Sequence, residues 1–150
     1  MAYRERDVID VLNDLVATCR DSEEGFLKAA KGIHSDAWRE ILTGIASVRD
    51  RFAQELEAEV RRWGAQPETT GHIGEILHRG WVDLEARIRP RIDETILEDC
   101  TRGEEATEKH YRRALAQDLP PDIRAMVEEQ FRNVQQTLEQ LRGERAGGAG

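Results

Sequence analysis

Two long amphipathic stretches separated by only a few residues constrain this chain more than any other feature of its sequence. Over residues 5–31, Val8, Leu12, Leu15, Cys19, Phe26 and Ala30 recur at the three-and-four spacing of one helix face. Gly32 stops that stretch, and Ser35 can cap the next. A second stripe then runs through Trp38, Ile41, Ile45, Val48, Phe52, Leu56, Val60 and Trp63 as far as Gly64. A link this short between two long helices forces them antiparallel.

The pattern breaks over residues 64–91. GAQPETTG reads as a loop, HIGEILHRGWVDLEARI as a shorter helix with an internal glycine, and Pro90 as a further break. Helical spacing resumes over 91–117 through Ile92, Ile96, Cys100, Tyr111 and Leu115. Pro120 and Pro121 then mark a helix start, where the missing N–H costs nothing. The fourth helix carries Ile123, Val127, Gln130, Val134, Leu138 and Leu141. A helix of the length of the first is about 42 Å long at 1.5 Å per residue, a distance the crossover segment can span. Helix three then runs parallel to helix two. The chain reads as all-α, a four-helix bundle of two antiparallel hairpins joined by a long crossover containing a short helix, which is the one-crossover topology of ferritin-like bundles. The bundle is expected over residues 1–143, with 144–150 a disordered C-terminal tail.

The composition agrees. Charged residues make up 35%, hydrophobic residues 39% and aromatics 5%, a balance typical of helices with one apolar stripe and a wide charged face. A net charge of −8 argues against a general nucleic-acid binder, whose affinity comes from neutralising phosphates. No apolar run approaches the roughly 20 residues that span a bilayer, so no membrane partner is expected. MAYRERDVIDVL places acids where a signal peptide needs apolar residues. The only two cysteines, Cys19 and Cys100, form no C-x-x-C pair, which fits a reducing, cytoplasmic setting.

Helices one and three repeat each other. LVATCRDSEEGF at 15–26 matches ILEDCTRGEEAT at 96–107, each with a cysteine followed four and five residues later by two glutamates. Helices two and four echo more weakly through Arg51-Phe52 and Gln130-Phe131. Two copies of one hairpin around a pseudo-two-fold axis would bring Glu23 and Glu104 inward, each four residues after its cysteine. Cys19 and Cys100 could meet in the same way, as two small buried residues or as a redox pair.

A carboxylate in a bundle core needs a cation, a metal or hydrogen-bond donors. Ferritin-like di-iron bundles use one Glu from each of two helices and a Glu-x-x-His from each of the other two. Glu23 and Glu104 supply the first half of that pattern, but helices two and four carry no histidine. Two readings follow. The preferred one is a buried polar network of Glu23, Glu104, Arg51 and Gln130 with no cofactor. The other is an oxygen-rich metal site on Glu23 and Glu104, with iron or manganese as the ion. The one Glu-x-x-His, Glu75 to His78, lies on the crossover. That segment is locally basic through Arg79, Arg87, Arg89 and Arg91, and His78, Arg79 and Trp81 form a candidate face for a protein partner. No phosphate loop or nucleophile elbow is present.

The segments LNDLVATCRDSEEGF, RFAQELEAEVRRWG, LHRGWVDLEARI, ILEDCTRGEEATEKHYRRAL and DLPPDIRAMVEEQF resemble a bacterial family of ferritin-like four-helix-bundle proteins classed as a domain of unknown function. The resemblance runs from about residue 7 to 141, with LHRGW and the CxxGE of helix three, CTRGE at 100–104, its specific segments. It implies the ferritin-like topology and no established activity. Members often carry a histidine late in helix four, where this chain has Leu138. The function expected is a structural or stress-associated bundle without a complete di-iron site, with a second copy of the chain as its expected partner. The alternatives are a carboxylate-based metal protein or oxidoreductase of the ferritin or rubrerythrin type, and an interaction module using the crossover face.

Overall fold

The computed structural model describes residues 4–67 and 92–148, with side chains as far as residue 143. Among the described residues there are four helices: α1 (Glu5–Gly32), α2 (Asp36–Arg62), α3 (Asp93–Leu115) and α4 (Pro121–Gly148). The helical backbone of α4 extends into the stretch that the sequence reading assigns to a tail. The crossover, with His78, Arg79 and Trp81, lies outside the described residues.

Local chemistry sets the helix ends. Ser35 caps α2, its hydroxyl accepting from the Trp38 amide at 3.2 Å. At the other end the chain turns left-handed at Gly64, φ +84°. There the amides of Ala65 and Gly64 donate to the carbonyls of Val60 and Arg61, which closes the helix as glycine alone does without steric cost. Pro121 occupies the first position of α4.

Side-chain pairs fix the directions of the helices. His34, just past α1, meets Asp93 at the start of α3, while Asp14 meets His110 and Cys19 meets Tyr111 further along. Thus α1 and α3 are antiparallel, and α3 runs parallel to α2. Arg62 bonds Asp122 and Glu55 bonds Gln130, which makes α4 antiparallel to α2. This is the topology in which one long crossover joins two hairpins, and no helix among the described residues is long and apolar enough to cross a membrane.

Asp93 holds the α1–α2 link against α3. Its carboxylate accepts from the backbone amides of His34 at 2.8 Å and Ser35 at 2.9 Å. Burial raises the Asp93 pKa, but these amides outweigh that effect and hold it below the usual value. Its contribution is therefore present above the unfolded value and lost as pH falls through the lowered one. Asp93→Ala should cost about 1 kcal/mol in a urea titration near neutral pH, with the difference from wild type shrinking in acid.

The interior is divided along its length. One apolar cluster gathers Leu12, Leu15, Cys19, Phe52, Leu56, Tyr111, Val127 and Val134. The other gathers Phe26, Ile33, Leu42, Ile45, Ile96, Cys100 and Leu141. Between them lies a layer of polar side chains.

Candidate functional site

Arg49 and Glu104 form the centre of that layer, and neither has any exposed surface. Arg49 projects from α2 between Ile45 and Phe52, and Glu104 from α3 one turn after Cys100. The guanidinium grips the carboxylate with both terminal nitrogens, Nη1 to Oε1 at 2.6 Å and Nη2 to Oε2 at 2.5 Å. This fork-to-fork geometry is the strongest form of the ion pair. Nη1 also donates to Ser22 Oγ on α1 at 2.9 Å. On α4, Asn133 Oδ1 and Thr137 Oγ1 each lie 3.4 Å from Nη2. All four helices therefore converge on one guanidinium. The Phe26 ring packs against it, 5.8 Å from centroid to Cζ. Burial disfavours the charged form of Arg49, but the Glu104 carboxylate overcomes this and holds its pKa above the ordinary value.

A second buried chain lies toward the other end of α3. Cys19 Sγ and Tyr111 Oη are 3.1 Å apart, and Tyr111 donates to Gln130 Oε1 at 2.7 Å. Gln130 passes the chain outward, its Nε2 donating to Glu55 at 3.0 Å. Burial pushes the Cys19 thiol up to about 11, against a smaller lowering by Tyr111, and it raises the Tyr111 hydroxyl well above 10. A thiol in this setting stays protonated and is a poor nucleophile.

The structure corrects the expected network at two positions. Glu104 and Gln130 are buried, but Glu23 and Arg51 do not join them. Glu23 sits at the rim with its side chain 25% exposed, held at 3.0 Å by Arg20. Arg20 also bonds Asp50 at 2.6 Å and Glu57 at 3.2 Å, which makes a polar clasp between α1 and α2. Arg51 lies exposed, its guanidinium over the Phe52 ring. Helical geometry explains both placements. Ser22 rather than Glu23 turns inward, and Arg51 is two residues, about 200°, round the helix from Arg49. The pairing of Cys19 with Cys100 is corrected as well. Both are buried and neither is in a disulfide, but they belong to different clusters, because antiparallel packing sets Cys19 against Tyr111.

Sequence reasoning missed Arg49, Ser22, Asn133 and Thr137. The available signal was a cation within the apolar stripe of α2, in register with Ile45 and Phe52. Among the described residues no group of three or more His, Cys, Asp or Glu side chains is placed to hold a metal ion.

Fold and interior together define a ferritin-like four-helix bundle. Residues 7–117, about three-quarters of the chain, match the family described as Domain of unknown function (DUF2383), and the chain belongs to it. Among solved structures it is similar to a mutant of Mycobacterium smegmatis Dps1, with a TM-score of 0.81 at 15% identity, covering 94% of this chain and 96% of that one. It is also similar to the tetragonal form of Mycobacterium smegmatis Dps, with a TM-score of 0.81 at 14% identity over 93% of this chain and 86% of that one. At such identities the likeness is one of fold. No curated protein sequence matches the chain.

Proposed function

We propose that this protein is a cytoplasmic, structural or stress-associated ferritin-like bundle without a complete di-iron site, acting through its stable scaffold and its association. The observation that carries this reading is the Arg49–Glu104 pair. A di-iron centre of this fold draws carboxylates from all four helices and histidines from two. At the corresponding heart of this bundle the one carboxylate bonded to the centre among the described residues is Glu104, α2 contributes a guanidinium, and α1 and α4 contribute neutral oxygens. A guanidinium has no lone pair to give a metal, and its charge repels one. The donor set does not fit a di-iron centre. The stress-associated part of the reading rests on likeness of fold alone.

The test is the oxidation of Fe²⁺ in air, followed by absorbance. The expected result is a rate equal to that of buffer, and faster oxidation with iron retained after desalting would refute the reading. Self-association belongs to the same proposal and is measured by light scattering on the native protein.

A further inference from the structure

A buried carboxylate in a bundle of this kind needs a positive charge beside it, and this chain supplies that charge from one of its own side chains, Arg49. Five oxygens from α1, α3 and α4 converge on the two terminal nitrogens of Arg49: Ser22 Oγ, both oxygens of Glu104, Asn133 Oδ1 and Thr137 Oγ1. Charged or neutral, these are all hard oxygen donors, the kind that coordinates Mg²⁺, Ca²⁺ or Mn²⁺. The fit to the guanidinium is incomplete. Arg49 Nε is buried with no hydrogen-bond partner among the described residues, and the contacts to Asn133 and Thr137 are long. Charge, more than a filled set of hydrogen bonds, accounts for the place of Arg49.

We infer that Arg49 is a tethered cation standing in for a bound one, and that removing its guanidinium opens a site for a hard divalent cation on Glu104, Ser22, Asn133 and Thr137. The inference rests on the reading above that the native centre holds no ion. In wild type the guanidinium keeps the site closed, and the apolar clusters on either side limit the entry of water. Truncating Arg49 leaves the Glu104 carboxylate buried without its counter-charge and vacates the space in which an ion with one or two waters can sit.

The experiment compares wild type, Arg49→Ala and Arg49→Ala/Glu104→Gln, each freed of metal and melted by circular dichroism with and without millimolar Mn²⁺. Without metal, Arg49→Ala should melt below wild type. With Mn²⁺ it should gain roughly 3–5 °C, a rise expected from an ion binding the folded state alone at about ten times its Kd. Electron paramagnetic resonance should show one immobilised Mn²⁺ per chain. Wild type and the double variant should not respond. If Arg49→Ala does not fold unaided, recovery of helical signal on refolding with Mn²⁺ alone supports the inference, and recovery in neither condition overturns it. An inert wild type with an equally inert Arg49→Ala, or a double variant that responds as the single one does, overturns this inference while leaving the proposed function standing. Mn²⁺ uptake by wild type itself overturns both.

Discussion

Glu104→Ala is expected to destabilise the bundle by about 3–5 kcal/mol, the characteristic cost of breaking a buried ion pair from one side. The carboxylate takes up both terminal nitrogens of Arg49, and its removal leaves a fully buried guanidinium with, among the described residues, only Ser22 at normal hydrogen-bond distance. Water cannot readily reach it, because Phe26 and the two apolar clusters enclose the layer. The same physics gives a contrasting result for the paired replacement. Arg49→Met/Glu104→Leu removes both charges and their desolvation costs together, so its stability should lie within about 1–2 kcal/mol of wild type or exceed it. Urea titrations of the two variants decide the matter. A cost below about 1 kcal/mol for Glu104→Ala would mean that the guanidinium finds solvent and that the interior is not sealed.

The architecture was legible because the signals for it are local. A glycine stop, the Ser35 cap and uninterrupted stripes determine where α1 and α2 begin and end, and the proline pair does the same for α4. The polar centre was half legible, for a geometric reason. Taking 100° per residue, Glu104 lies about 30° from the axis defined by Cys100 and Tyr111, well within the inner face. Glu23 lies about 50° to one side of the axis through Cys19 and Phe26, with Ser22 about 50° to the other. Periodicity cannot choose between that pair. Packing chooses, because the small Ser22 leaves room for Arg49 to reach Glu104, while Glu23 finds Arg20 at the rim. Val48 and Arg49 straddle the axis through Ile45 and Phe52 in the same balanced way. The apparent repeat drew attention to Arg51 instead, but the duplication does not extend to the chemistry. In the central pair one half of the bundle supplies the acid, Glu104, and the other the base, Arg49.

At alkaline pH the fold should weaken in a way that Cys19 and Tyr111 dictate. Burial holds the Cys19 thiol at about 11, whereas in the unfolded chain it titrates near 9.0. A group whose native pKa is raised contributes stability that is complete below its unfolded value and lost as pH climbs through its folded one. The window for Cys19 therefore runs from about pH 9 to 11. At about 1.4 kcal/mol per unit, the loss across it is on the order of 2–3 kcal/mol. Tyr111 adds to this with the same sign, since its hydroxyl is raised as well and deprotonation would also end its donation to Gln130. Arg49 favours both anions and Glu104 opposes them, so the balance falls to desolvation, which is the largest contribution for each. Urea stability measured across this range should fall steeply for wild type. In Cys19→Ala the slope should lessen by about one proton, even though the variant starts from a lower stability at pH 7. Tyr111→Phe should behave likewise, after costing about 1–3 kcal/mol at neutral pH by leaving Gln130 Oε1 without its donor. A wild-type profile that stays level from pH 9 to 11 would show that these two groups titrate alike in the folded and unfolded chain, and that the interior between α1 and α3 is wet.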